Sequence, residues 1–393
     1  MNLDLHLTTA CNMKCSFCGA WEYGKAASHI STEEAKEALS QGRRRGYGIT
    51  TLTGGEPSLH EDYTEILEYA TSIGYWTVVT TNGLLLSEEM MKTLKKCRTL
   101  VRVSIHTLDE GLHEEITGGD TLGTVKENIR LMAENGIRFG FGCTVFDGNI
   151  DEIGALAEYA QKSGAAFIRY TPVVGIRGAD GMSTGYEFFK RMLKDIADIC
   201  VDNVGLLDYR EKGRTYTENM VRYMLTRRCA GGSGQHMIYD CHGTVLPCSF
   251  IPESEGLFRT KETGNTTERM QLVQEAADAY YARALEEGLG GECADCSYRN
   301  TCKGGCMTTK IPEGLTVSDP QPICMLKLID ELCGEYDERE AWILKSYWVD
   351  NFTRRMGVDD KDKVCMRRLP VWEINFRPGA SAGDFVRRGG RQS

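Results

Sequence analysis

A chain of 393 residues, 26% of them charged and with a formal net charge of −10, is long enough for two or more domains with cores of their own. The acidic balance, with no long Lys/Arg block to offset it, argues against a nucleic-acid partner, and no run approaches the roughly twenty apolar residues that a membrane span needs. Without a charged-then-apolar signal segment the chain is expected in the cytoplasm, where its 16 cysteines point to metal ligation rather than to a disulfide scaffold.

The opening stretch "NLDLHLTT" alternates Leu3, Leu5 and Leu7, the pattern of a strand with one buried face. The loop leaving it carries Cys11, Cys15 and Cys18 at C-x3-C-x2-C. Structural zinc and closed iron–sulfur clusters take four ligands, so three close thiols suit a cluster with one iron left open. A zinc knuckle is the alternative. "STEEAKEALSQGRRRGY" begins with Ser31 and Glu34 in capping-box spacing and predicts a helix. Strand and helix signals then alternate: "ITTLTGG", "EDYTEILEYATSIG", "YWTVVTTNG", "SEEMMKTLKKC", "TLVRVSIH", "TVKENIRLMAENG", "IRFGFGCTVF", "IDEIGALAEYAQKSG" and "AAFIRYTPVV". Repeated βα units imply a parallel sheet, and these strands would close part of a barrel. No seventh or eighth strand of comparable quality precedes the cysteine-rich region, although a full barrel stays open as an alternative.

Polar groups gather at the strand ends. Gly54 and Gly55 stand where the backbone must approach something closely, and Glu56 is an acceptor for a cationic group, or the three form a plain tight turn. Thr80 to Gly83 and Ser104 end the next two strands.

The cysteine loop with Phe17 before its last cysteine, and "GGEP" after the second strand, together resemble the radical S-adenosylmethionine (radical SAM) enzymes over residues 1–225. The resemblance implies a 4Fe–4S cluster on Cys11, Cys15 and Cys18, with its open iron taken by the methionine part of SAM. It also implies reductive cleavage of SAM to a 5′-deoxyadenosyl radical, an ammonium contact at Gly54, Gly55 and Glu56, and a ribose contact at Ser104.

Nine cysteines cluster between Cys229 and Cys333, including C-x2-C-x5-C-x3-C from Cys293 to Cys306. By spacing alone they could form closed zinc sites. Behind a radical SAM domain they resemble the SPASM extension, which carries two auxiliary 4Fe–4S clusters, three clusters in all. That likeness implies Cys229, Cys241, Cys248 and Cys306 for the first and Cys293, Cys296, Cys302 and Cys324 for the second, with Cys333 as an alternative ligand. Cys97, Cys143, Cys200 and Cys365 lie in apolar or helical contexts and read as small hydrophobes. Trp342, Trp348 and Trp372 read as core or groove filling.

The expected architecture is therefore α/β: a partial (β/α)6 TIM-like barrel over 1–225, a SPASM domain over 226–335 and a C-terminal helical extension over 336–393. SPASM enzymes mostly modify peptides, so the leading expectation is oxidative cross-linking or side-chain oxidation of a ribosomal peptide. A small-molecule dehydrogenase or epimerase acting on an aminoglycoside or sugar is the alternative. A non-catalytic electron carrier fits less well, since it needs no SAM site. Sulfatase maturases carry an aspartate where this chain has Ser249, which lowers that reading unless Asp240, Glu253 or Asp208 serves as base. The chain starts almost at the cluster strand, so a peptide substrate is expected to need a separate leader-recognition protein or to dock on the C-terminal extension. A flavodoxin- or ferredoxin-type electron donor is the further expected partner.

Overall fold

The computed structural model describes residues 1–18, 27–173, 185–203, 236–248, 265–296, 304–306, 314–341 and 372–376, with 299, 310, 344 and 385. Cys229, Cys302, Cys365, Asp208, Ser249, Glu253, Trp342 and Trp348 lie outside the described residues. The chain forms two compact units: Met1–Gly140 with Gly175–Asp180 and Ala230–Ala282, and Phe141–Val174 with Gly181–Cys229 and Arg283–Ser393. Each unit is built from separate stretches of chain, so neither follows a single sequence interval.

In the first unit, β1 (Asn2–Thr8), β2 (Ile49–Gly54), β3 (Trp76–Thr81) and β4 (Leu100–Ser104) pair in parallel in chain order. Leu3, Leu5 and Leu7 are fully buried, as the alternation predicts. Helix α1 (Thr32–Arg44) follows β1, its N-cap Ser31 accepting from the Glu34 N–H, and acidic residues in its first turn and basic ones in its last complement the helix dipole. Helices α2 (Tyr63–Ser72) and α3 (Glu88–Lys96) make the next crossovers, and α4 (Glu110–Thr117) and α5 (Leu122–Glu134) follow β4. Helix α4 was not expected from the apolar pattern. It starts at Asp109, whose side chain accepts from the Leu112 N–H, and ends at the left-handed Gly118.

The second unit carries β5 (Phe139–Val145) paired in parallel with β6 (Phe167–Pro172), and α6 (Ile153–Lys162) between them in sequence. Helix α7 (Tyr186–Asp202) follows.

Further strands come from late in the chain. Beside β1 in the first unit runs β7 (His236–Tyr239), parallel, with Asn2 opposite His236 and Leu5 opposite Tyr239; β8 (Val245–Leu246) returns antiparallel to it. All four β7 residues are buried, so no alternation marks the strand in sequence. Helix α8 (Thr266–Glu286) follows these strands. In the second unit α9 (Met325–Cys333) precedes β9 (Trp372–Asn375), which adds to β6 antiparallel. The architecture is α/β with a parallel sheet of the partial-barrel type.

Candidate active site at the strand ends

The loop after β1 is strapped down along its length. The Ala10 N–H donates to Thr8 Oγ1 at 2.9 Å, and the Lys14 and Ser16 N–H groups donate to the Thr117 and Ile116 carbonyls, both at 2.8 Å. Cys11 is exposed, Cys15 and Cys18 are half-buried, and the Cys18 N–H closes a turn onto the Cys15 carbonyl at 3.0 Å. Burial, followed by the negative charges that Cys18 and Cys11 would carry, pushes the Cys15 thiol up to about 12. Burial likewise raises Cys11. Two thiols on one turn, Cys11 and Cys15, that resist ionising fit a cationic centre, since bound metal deprotonates its thiol ligands. Among the described residues no three His, Cys, Asp or Glu side chains are already drawn into ion-binding geometry. The chain brings the three cysteines onto one loop without closing their sulfurs around a point.

The β2 exit lies directly against that loop. The Gly55 N–H donates to the Thr8 carbonyl and the Glu56 N–H to the Ala10 carbonyl, each at 2.7 Å. Gly54 has φ +133°, and a Cβ on either glycine would overlap the Thr8 or Ala10 carbonyl oxygen. Both glycines are thus required by the close approach of two backbone segments.

Glu56 is 1% exposed, and its carboxylate accepts hydrogen bonds from three neighbouring residues. Oε1 accepts from Ser58 N at 3.2 Å, Ser58 Oγ at 2.7 Å and Thr81 Oγ1 at 2.8 Å, and Oε2 accepts from Asn82 N at 2.7 Å. Burial pushes its carboxyl up, and these donors oppose the rise. This side chain fastens the β2 exit to the β3 exit.

Asn82, at the end of β3, completes the link. Its Nδ2 donates to Asn12 Oδ1 at 2.6 Å and stands 3.9 Å from Cys11 Sγ, while its Oδ1 accepts from the Leu84 N–H at 3.0 Å. The "TTNG" strand end was visible in the sequence; that its asparagine would reach the cysteine loop was not. Ser104 ends β4 half-buried. Two residues on, His106 meets the Phe17 ring edge-on, with centroids 4.9 Å apart and planes at 81°. Burial, with help from His113, lowers the His106 pKa to about 4, so the ring is neutral.

The face of β1 opposite its leucines is polar. Asp4 Oδ2 lies 2.9 Å from His236 Nε2 across the β1–β7 pair. His6 is held below its ordinary pKa by burial, with Asp4 and Asp240 opposing. The pairing of Asp4 with His236 escaped the sequence reading because β7 did.

The cysteine-rich region is described in part. Cys241 is buried in the β7–β8 turn, where Asp240 Oδ1 accepts from His242 N at 2.9 Å and Thr244 N at 2.7 Å; Cys248 follows β8, half-buried. In the second unit Cys293, Cys296 and Cys324 are half-buried and Cys306 is buried. Cys97, Cys143, Cys200 and Cys333 are all buried, as are Cys241 and Cys306.

Residues 5–160 match the family model of the radical SAM superfamily. The chain carries a radical SAM domain. That domain holds the cysteine loop, Gly54 to Glu56, Asn82 and Ser104, and its superfamily consists of enzymes. An AdoMet-dependent heme synthase of Methanosarcina barkeri is 26% identical over 340 residues, covering 82% of this chain and 95% of that protein. A PqqA peptide cyclase of Bradyrhizobium diazoefficiens is 23% identical over 350 residues, covering 86% and 89%. The structure of Streptococcus suis SuiB bound to its precursor peptide SuiA superposes with a TM-score of 0.65 at 18% identity, over 81% of this chain and 74% of that one, which is a likeness of fold. No helix among the described residues is long and apolar enough to cross a membrane.

Proposed function

We propose that this radical SAM enzyme oxidatively modifies a peptide, with Cys11, Cys15 and Cys18 holding the SAM-binding cluster and the later cysteines two auxiliary clusters. The observation that carries the SAM site is the three-way junction of strand ends, in which Glu56 joins β2 to β3 and Asn82 joins β3 to the cysteine loop. Cys11, Cys15 and Cys18 would hold a 4Fe–4S cluster there, which with bound SAM would supply one-electron, reductive cleavage chemistry. The protein's own part is to hold the loop open at one iron, to present backbone at Gly54 and Gly55, and to seat Ser104 at the next strand end. The likeness to a peptide cyclase over most of both chains supports a peptide substrate.

A small-molecule substrate is the second reading, and the set of Asp4 and His6 on β1, His236 on β7 and Asp240 just after it favours it, because paired carboxylates and imidazoles suit a compact polar substrate. The test has two arms. Replacing Cys11, Cys15 and Cys18 together by Ala should remove about four irons per chain and abolish 5′-deoxyadenosine formation; retained cleavage would sink the site. Coexpression with short peptides encoded beside the gene, followed by mass spectrometry, should show loss of hydrogen from one of them. Unchanged peptides, with 5′-deoxyadenosine forming only on addition of a small polar metabolite, would select the second reading.

A further inference from the structure

Helix α4 ends against the cysteine loop. The last carbonyls of a helix have no partner within it, and here the loop supplies one for each of the final two: the Lys14 N–H donates to the Thr117 carbonyl and the Ser16 N–H to the Ile116 carbonyl, both at 2.8 Å. The two donors flank Cys15. Gly118, left-handed at φ +77°, closes the helix so tightly on the loop that a Cβ there would lie 3.3 Å from Lys14 Cβ. Side chains fix the turn beyond. Thr117 Oγ1 donates to the His113 and Gly119 carbonyls at 2.8 and 3.2 Å, and Thr121 Oγ1 donates to the Gly119 carbonyl at 3.4 Å. His113 Nε2 lies 2.9 Å from Thr121 Oγ1 and so joins α4 to the start of α5. The imidazole is 2% exposed, and its Nδ1 has no hydrogen-bond partner among the described residues. A buried polar atom left unpaired costs free energy, so packing alone favours an apolar side chain at this position. What histidine adds is the bond to Thr121.

We propose that His113 is a positioning residue for the SAM-cluster loop: it fixes the α4–α5 turn through Thr121, and the end of α4 so held clamps the backbone on both sides of Cys15. The inference deepens the reading above and rests on Cys11, Cys15 and Cys18 as the cluster ligands. Three sulfurs must converge on one centre, and groups behind the ligands that set their orientation act on affinity much as the ligands do. Asn82 holds the loop at Asn12, whereas α4 holds it at Lys14 and Ser16, so the loop is fixed at two separate places.

Hydrogen exchange of the metal-free protein reads the clamp without any cluster. His113→Leu should speed exchange of the Lys14 and Ser16 amides about tenfold or more, while the urea midpoint and exchange in the rest of the unit stay close to the parent's. His113→Gln, whose amide nitrogen reaches the place of Nε2, should restore slow exchange. Acceleration spread across the unit with a lowered midpoint, or no acceleration at all, overturns the proposal in favour of a histidine that only holds the fold. Ser16→Pro approaches from the loop side. Ser16 is the second residue of the turn that the Cys18 N–H closes on the Cys15 carbonyl, and its φ is not positive, so proline suits the position and deletes the donor to Ile116. In reconstituted protein, His113→Leu and Ser16→Pro should both keep the parent's iron yet weaken SAM binding about threefold or more, and alter the change that SAM makes in the EPR signal of the reduced cluster. Ser16→Ala should match the parent. Parent-like SAM binding in both variants overturns the proposal. A parent whose signal ignores SAM removes the reading on which the inference rests, a failure told apart by an exchange result that still shows the clamp.

Discussion

Asn82 holds Asn12 through a 2.6 Å hydrogen bond from Nδ2 to Oδ1, while its own backbone N–H donates to Glu56 at 2.7 Å. One residue at the end of β3 thereby sets the position of the cysteine loop relative to the β2 exit. Asn82→Ala keeps every cysteine but frees the loop. A lost hydrogen bond of this kind is worth about 1–1.5 kcal/mol, so SAM affinity should weaken roughly five- to tenfold with iron content intact. Isothermal titration with SAM, beside an iron assay, checks this; unchanged affinity would show that the loop holds its place without Asn12.

Glu56→Gln should act on the fold as well as on the site. The carboxylate accepts from Ser58, Thr81 and Asn82, and the amide that replaces one oxygen can only donate. At least one buried donor is left unsatisfied, at a cost of about 1–3 kcal/mol. The urea midpoint should fall together with SAM binding. Weakened SAM binding at full stability would instead give Glu56 a direct contact with the ammonium.

Gly55→Ala should disturb the cysteine loop, because its new Cβ meets the Ala10 carbonyl, which is backbone and cannot swing aside. Iron content and 5′-deoxyadenosine formation should fall together. Gly123→Ala in α5 is the matched change, with nothing within 4 Å of the added carbon, and should be neutral or slightly stabilising. Equal behaviour of the two variants would mean that the close approach at Gly55 is not needed.

Stability should decline on acidification through His106. Its pKa lies at about 4 in the fold against 6.5 for the free side chain. Below pH 6.5 the unfolded chain takes up a proton that the folded ring refuses until about pH 4, so the contribution is complete above 6.5 and is lost as pH falls through that window. The loss amounts to about 3 kcal/mol on the scale of 1.36 kcal/mol per pKa unit. Urea unfolding at a series of pH values, with His106→Gln as comparison, should show a shallower slope in the variant. Identical slopes would assign the acid sensitivity to other groups.

The sequence by itself determined the local elements and the chemistry they carry. Leu3, Leu5 and Leu7 made β1 a half-buried strand, Ser31 marked the start of α1, and C-x3-C-x2-C with "GGEP" placed the radical SAM motifs at two strand ends. Each of these signals lies within one turn or one strand, where side-chain periodicity and capping act directly. Tertiary structure alone decided which strand ends meet. Glu56 reads in the sequence as an acceptor at a turn; that Thr81 and Asn82, more than twenty residues later, donate to it is decided by the fold. The pairing of β7 with β1, which sets His236 beside Asp4, joins segments 232 residues apart. Such contacts depend on how the sheet is ordered in space, and four buried residues carry no periodic trace of their neighbours.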